Sequence, residues 1–317
     1  MKILVCDPID QDGIQALRSA GFQVEDQPTI DKTKLLGVAR NYDVLVVRGR
    51  TRIDASIIEA APNLKMIGRA GVGLDNIDVQ RAKKAGILVL NTPGAPSTSV
   101  AELTVALMLS LLRKIPLADR ELKAGHWVKS QLTGEELQGK KVGVIGRAGR
   151  IGGEVARILT VGFQVDVLGY DVIRPKGVAG VTYEFADSIE DLLQKTDIVT
   201  VHVPYAPETR QLLGPERLRM MRKGAYLVNT SRGDIVDGPA LLQLLQQGHL
   251  AGAGLDVFHL EPPVDEWEKA LVTLPEGVTV TTCHIGAQTL QAQRRESLEL
   301  AQRIISESKA LSPPHPN

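Results

Sequence analysis

Short apolar runs alternate with helical patterns from the start of the chain. Ile3 to Cys6 reads as a strand, Gln11 to Ala20 as a helix, Phe22 to Val24 as a strand, Asp31 to Asn41 as a helix and Val44 to Val47 as a wholly apolar strand. The alternation continues through a strand at Lys65 to Gly68, a helix at Val79 to Ala85 and a strand at Ile87 to Leu90. β-Branched runs separated by helix-period segments are the pattern of stacked βαβ units, whose crossover helices cover both faces of a parallel sheet. Asn91-Thr92-Pro93-Gly94-Ala95-Pro96 breaks the rhythm, because two prolines remove donors that a central strand needs. A domain boundary is expected there. Ser97 or Ser99 is placed to cap the apolar helix that follows, with Glu102 three residues beyond Ser99 as its capping-box partner.

A second alternating series opens at Lys141 and runs through VGVIG, QVDVLGYD, DIVTVHVP, GAYLVNT, AGAGLDVF and VTVTTCHIG. Six strand candidates suit a complete dinucleotide-binding sheet. A last helix, Gln288 to roughly Ser308, follows the finished sheet and is free to return to the first domain. Two domains also suit 317 residues, since a single core stops growing at roughly 250 to 300. The expected division is 1–96 with 288–317 against 97–287.

Composition narrows the function classes. Thirty-seven basic residues balance thirty-seven acidic ones, so no net field draws the chain to nucleic acid or to an anionic membrane. Cys6 and Cys283 each lie in an apolar run; two isolated thiols build neither a disulfide framework nor a metal site, and a reducing cytoplasm fits them best. MKILVCD is too short an apolar run for a signal peptide, so no targeting segment is expected ahead of the fold. Val100 to Leu112 holds Glu102, Thr104 and Ser110 and is shorter than the roughly 20 residues of a membrane span, which makes it a buried helix. Ser312 to Asn317 is a proline-rich tail.

Candidate chemistry begins after the strand Val142 to Ile145. Gly146-Arg147-Ala148-Gly149-Arg150-Ile151-Gly152 is followed by a helical pattern, and strand, glycine turn and helix in that order aim backbone amides at a pyrophosphate. The spacing is GxxGxxG, one residue longer than the GxGxxG fingerprint. Asp171 follows Gly152 by nineteen residues at a strand end, where a carboxylate accepts from the adenosine ribose and repels a 2′-phosphate. NAD is thereby favoured over NADP, and only Arg174, three residues on, pulls the other way.

Arg232, Glu261 and His284 each lie just past a strand of this second series, at the carboxyl ends where open α/β sheets bind ligands. Alcohol oxidation needs a base for the hydroxyl proton, and a histidine beside a carboxylate suits that task. An arginine offers a planar two-toothed grip on a carboxylate.

These residues sit in phrases that follow one another along nearly the whole chain: GRAGVGLDNID (Gly68 to Asp78), the glycine loop, VHVP (Val201 to Pro204), NTSRGDIVD (Asn229 to Asp237), GLDVFHLEPP (Gly254 to Pro263) and HIGAQT (His284 to Thr289). The series resembles the D-isomer-specific 2-hydroxyacid dehydrogenases, and within that family the catalytic portion of the D-3-phosphoglycerate dehydrogenases. The resemblance implies two doubly wound parallel-sheet α/β domains, a Rossmann cofactor domain and a flavodoxin-like substrate domain, with the cleft between them. It implies that Arg232 binds the substrate carboxylate, that His284 is the acid/base and that Glu261 orients and charges it. It also implies an NAD site formed by Val72, Gly146, Gly149, Arg150, Ile151, Gly152 and Asp171, with His202, Val203 and Pro204 along the cofactor's path. Thr230, Ser231, Asp256, Gly286 and Ala287 fall at its nicotinamide end. Relatives pair as dimers through the cofactor domain and the long helix after the first crossover, which would account for the apolar face of Val100 to Leu112.

The sequence departs from the family pattern in the longer glycine loop and at Pro96 and Cys283, where Asn and Pro are usual. Cys283 adjoins the proposed base and is expected to be a buried, inert thiol. The chain ends near the end of the family's catalytic portion, so feedback by serine through an added regulatory domain is not expected.

Arg48, Arg50, Arg52 and Arg69 cluster on loops after the third and fourth strands, and a phosphorylated hydroxy acid calls for such cations. The resemblance implies that Arg48 and Arg69 hold the phosphate, that amides around Gly71, Val72 and Gly73 hold the carboxylate, and that Lys129 is a basic residue offered to the partner subunit. Arg50 and Arg52 also read as cover for a solvated edge. Three functions stay open: oxidation of 3-phosphoglycerate, reduction of glyoxylate or hydroxypyruvate, and NAD-sensing binding of the kind found in corepressors on this scaffold. Formate oxidation is disfavoured, since that relative places Gln where Glu261 stands.

Overall fold

The computed structural model describes residues 1–173 and 184–311; Arg174 and the tail 312–317 lie outside the described residues. The chain divides into two units, Met1–Ser99 with Ala287–Asn317, and Val100–Gly286.

The first unit holds five parallel strands: β1 (Lys2–Val5), β2 (Gln23–Asp26), β3 (Val44–Val47), β4 (Met66–Arg69) and β5 (Leu88–Leu90). They lie in the order β2-β1-β3-β4-β5, the flavodoxin-like arrangement. Ile3 stands beside Val44, and Val44 beside Met66. Leu4, Leu45, Val47 and Ile67 turn to one face and pack with Leu35 and Ile57. Ile3, Val5, Val44 and Met66 turn to the other, under Ile14, Leu17, Leu300 and Ile304. Burial on both faces is why VLVV carries no polar alternation.

Asp10, Asp31, Asp54 and Asp78 begin four of the helices of this unit, each accepting a backbone N–H of the first turn. Such caps contribute about 1 kcal/mol apiece. The Ala55–Ala60 helix is absent from the sequence reading, being too short to show a period. The helix expected over Asp31 to Asn41 stops at Val38 and closes with a 3₁₀ turn, Ala39–Asn41. The last helix, Leu290–Leu311, returns to this unit. It crosses the Gln11–Ser19 helix so closely that a Cβ on Gly13 would lie 2.0 Å from Ser297 Oγ, and that hydroxyl donates to the Asp10 carbonyl at 2.7 Å.

Among the described residues the second unit holds a seven-stranded parallel sheet rather than a six-stranded one. Its strands are β6 (Lys141–Ile145), β7 (Asp166–Tyr170), β8 (Glu184–Phe185), β9 (Ile198–Val201), β10 (Tyr226–Asn229), β11 (Gly252–Leu255) and β12 (Thr279–Thr281). The order β12-β11-β10-β9-β6-β7-β8 is doubly wound and reverses direction beside β6, as in the Rossmann fold. The extra member, β8, has two residues and no legible pattern.

The Ser97–Arg113 helix departs from expectation twice. Ser97 is its first residue and donates to the Gly94 carbonyl at 3.1 Å, so Ser99 lies inside the helix and no Ser99–Glu102 box begins it. Its apolar face is also no free surface: Ala101, Val105, Met108 and Leu112 are buried with Val142, Val144, Val228 and Val280 in the unit's own core. The exposed apolar side chains come later, at Ile115, Leu122 and Trp127. Among the described residues no helix is long and apolar enough to cross a membrane.

Candidate active site

At the end of β6 the chain turns through Gly146, whose φ of 86° lies in the left-handed region. A Cβ there would stand 2.5 Å from the His202 carbonyl oxygen, and one on Gly152 would stand 2.3 Å from that of Gly146. Only glycine permits these approaches. Gly149 begins the Arg150–Arg157 helix with no side-chain cap, so no N-cap side chain occupies the first amides of the helix. This glycine-lined helix N-terminus fits a pyrophosphate.

The extra residue of the loop is absorbed by turning Arg147 inward. Arg147 is 8% exposed and its stem lies over Gly169 of β7, where a Cβ would meet its Cγ at 2.7 Å. Ala148 N–H then donates to Asp171 Oδ2 at 2.8 Å, and Ile173 N–H to Oδ1 at 3.2 Å. Asp171 thus joins the lengthened loop to the end of β7.

Past β9, the His202 ring is buried with Nε2 3.0 Å from Thr200 Oγ1. Burial pushes its pKa down to about 3, so the imidazole is neutral. Val203 accepts the Ser231 hydroxyl at 2.5 Å, and Pro204 follows on the exposed side. Buried Asn229, the last residue of β10, shapes the next loop: its Oδ1 accepts Ser231 N–H at 3.0 Å and its Nδ2 donates to the Arg232 carbonyl at 2.8 Å. Thr230 meets Thr104 at 2.9 Å between hydroxyl oxygens. Arg232 Nη1 donates to the Ser231 carbonyl at 2.7 Å.

His284 is held from behind by Asp256, which is 1% exposed. Its Oδ1 accepts Thr282 Oγ1 at 2.6 Å and Ile285 N–H at 2.8 Å, its Oδ2 accepts Gly286 N–H at 2.9 Å, and its carbonyl accepts His284 N–H at 2.8 Å. These bonds hold His284 at a φ of 55°, a conformation costly for a side chain with a Cβ and often kept at functional sites. His284 Nδ1 lies 2.6 Å from Glu261 Oε2, and both side chains reach solvent. Burial raises the Glu261 carboxyl, but the hydrogen bond and charge of His284, the Phe258 amide and the charge of Arg232 outweigh it and hold the group below the usual range.

Glu268, absent from the sequence reading, accepts His259 N–H at 2.9 Å and Leu260 N–H at 3.1 Å from a fully buried position, bracing the two residues before Glu261. His259 Nδ1 pairs with Asp234, an arrangement with no local signal. Cys283 is exposed rather than buried, because β12 ends at Thr281.

Arg48 and Arg69 meet within the first unit. Arg69 Nε donates to the Arg48 carbonyl at 3.0 Å. Arg48 donates to Gln288 Oε1 at 2.9 Å and to the Ala287 carbonyl at 3.3 Å. Gly71 has a φ of 142°, and a Cβ there would lie 2.6 Å from Arg69 Nη1. Its own amide is spent on Thr92 Oγ1 at 2.8 Å; exposed Val72 and half-buried Gly73 follow it. Arg50 is a brace, donating to the carbonyls of Cys6, Pro28 and Ile30 and pairing with Asp7 at 3.2 Å. Arg52 is exposed, as is Lys129 on a 3₁₀ turn, Lys129–Gln131.

A doubly wound sheet with a glycine cradle, and a histidine–carboxylate pair past its strand ends, is the equipment of a nucleotide-dependent oxidoreductase. Residues 105–286 match the family described as D-isomer specific 2-hydroxyacid dehydrogenase, NAD binding domain. The chain belongs to the D-isomer specific 2-hydroxyacid dehydrogenases, and NAD is its cofactor. It is 42% identical over 306 residues to the hydroxypyruvate reductase of Thermotoga maritima, covering 96% of this chain and 98% of that one. It is 44% identical over 305 residues to the D-3-phosphoglycerate dehydrogenase of Methanocaldococcus jannaschii, covering 96% of this chain but only 57% of that longer protein. Among solved structures, D-lactate dehydrogenase from Aquifex aeolicus, complexed with NAD and lactic acid, is similar with a TM-score of 0.82 at 28% identity, covering 98% of this chain and 96% of that one.

Proposed function

We propose that the chain oxidises 3-phosphoglycerate to 3-phosphohydroxypyruvate, a step of serine biosynthesis, as a cytoplasmic homodimer. The observation that carries the substrate is the meeting of two arginines at the Gly71 turn: the Arg69 guanidinium, which lies against Gly71, donates to the backbone carbonyl of Arg48. A phosphate dianion is the ligand such a pair suits. Arg232 grips the carboxylate. Because Nδ1 of His284 is committed to Glu261, Nε2 is the atom that takes the hydroxyl proton, and the ionised Glu261 stabilises the imidazolium that results. Gly146, Gly149, Gly152 and the first amides of the Arg150–Arg157 helix hold the pyrophosphate, and Asp171 the ribose. When bound, NAD supplies the hydride acceptor. Exposed Ile115, Leu122 and Trp127 support pairing of two chains, with Lys129 reaching the partner's site.

A second reading, reduction of hydroxypyruvate, is favoured by the match along 98% of the Thermotoga maritima relative. Arg48→Ala and Arg69→Ala separate the two. Each should lower kcat/KM for 3-phosphoglycerate by about one to two powers of ten more than for D-glycerate, since a charge-assisted bond contributes roughly 1.5 to 3 kcal/mol. Equal losses on both acids would show the arginines to be structural and end the phosphate reading.

A further inference from the structure

The core-facing stripe of the Leu290–Leu311 helix runs Ala292, Glu296, Leu300, Ile304, at a spacing of four. An acid stands where the period calls for an apolar side chain. Glu296 is 1% exposed and neither carboxylate oxygen has a hydrogen-bond partner. Its nearest cation is Arg48, with Nε 3.6 Å from Oε2, an ion pair too long for a hydrogen bond. A buried carboxylate without donors is costly, and an apolar residue would fill the same place without that cost.

Simple support of Arg48 does not explain it. Gln288 and the Ala287 carbonyl already fix the Arg48 guanidinium, and Asp7 accepts the Arg48 backbone N–H at 2.6 Å. What Glu296 adds is charge. It lies in the field of Arg48, Arg69 and Arg295, the charged groups that face it from the loop after β3, from β4 and from its own helix.

We propose that Glu296 is a specificity-determining residue: its buried carboxylate, set against Arg48, lowers the positive charge with which Arg48 and Arg69 meet an anion, and so sets the preference between phosphorylated and unphosphorylated hydroxy acids. A dianion feels that negative charge more than a ligand lacking phosphate. Over about 10 Å at an effective dielectric constant of about 20, one unit charge changes a monoanion's binding about tenfold and a dianion's about a hundredfold. Burial raises the Glu296 carboxyl against the pull of the three arginines, so acidification returns its proton and restores the cluster's full charge.

The inference rests on the Arg48–Arg69 reading above, and one set of assays separates them. The ratio of kcat/KM for 3-phosphohydroxypyruvate to that for hydroxypyruvate is measured with NADH in wild type, Glu296→Gln, Glu296→Met and Arg48→Ala, from mildly acid to mildly alkaline pH. Comparing each variant with wild type at the same pH cancels the titration of the substrate's own phosphate. Both Glu296 variants should raise the ratio about a hundredfold at alkaline pH, and the gap should close on acidification. Arg48→Ala should lower the ratio. If either folded Glu296 variant leaves the ratio unchanged or lowers it, the carboxylate is a packing or positioning group and the inference falls, while the phosphate reading stands so long as Arg48→Ala is selective. If wild type rejects the phosphorylated acid, the phosphate reading falls, and the inference survives only if the Glu296 variants admit that acid.

Discussion

His202 lies at the end of β9 with its ring closed off from solvent and its pKa pushed from 6.5 down to about 3 by burial. The unfolded chain accepts a proton on this imidazole below pH 6.5, and the folded chain refuses it until near pH 3. The group therefore costs nothing above pH 6.5, and stability drains away progressively as pH falls through that window. At about pH 5 the linkage amounts to about 2 kcal/mol, one pKa unit being worth about 1.4 kcal/mol. Glutamine in place of His202 can keep a bond to Thr200 Oγ1, now 3.0 Å from Nε2, and does not titrate. Urea unfolding of wild type and His202→Gln, followed at about pH 8 and about pH 5, should show wild type losing about 2 kcal/mol more than the variant. Carboxylates that titrate in the same range are common to both proteins and cancel. A stability difference that stays constant across the two conditions would refute the neutral buried imidazole.

Replacing His284 with Ala should cut turnover by about 10² to 10⁴ while leaving NAD affinity by fluorescence titration nearly intact; turnover within about threefold of wild type would remove His284 as the base. Asp171→Ala removes both the charge facing a 2′-phosphate and the acceptor of Ala148 N–H, so the preference for NAD over NADP should shrink about tenfold or more. Wild type using NADP as efficiently as NAD would overturn that role. Gly152→Ala drives a Cβ to 2.3 Å from the Gly146 carbonyl oxygen, and calorimetry should find NAD binding weakened by about an order of magnitude with the fold retained. Unchanged affinity would show that the loop shifts freely.

The strands were legible where both faces are buried, because Val44 to Val47 and Tyr226 to Asn229 carry runs that no exposed segment would hold. Strand order is a property of long-range pairing and has no local mark, and β8 and the Ala55–Ala60 helix are too short to show a period. Arg232, Glu261 and His284 stand out as candidates because each follows a strand and sits in a phrase that resembles the family's. The bonds that hold them do not. Asp256 reaches forward thirty residues to Gly286 N–H, and Glu268 braces the loop that carries Glu261 from a later helix. The inward turn of Arg147 depends on the bare backbone of Gly169, which stands on another strand. Glu296 did carry a signal, an acid on a four-residue apolar stripe, but the signal is visible only once the helix phase is known.

The return of the Leu290–Leu311 helix to the first unit bears on the birth of the chain as well as its finished form. Ile3, Val5, Val44 and Met66 share a cluster with Leu300, Ala301 and Ile304, side chains that a ribosome makes more than two hundred residues after Met66. The first sheet therefore has one apolar face covered only by Ile14 and Leu17 while the whole second unit is translated, and the rest of that face waits for its cover. Such a face is sticky and protease-sensitive until the final helix arrives. Chains ended at Gln288 should accordingly be cut within the first sheet by a dilute protease that spares the full chain, and equal resistance would show that this sheet closes without its last helix.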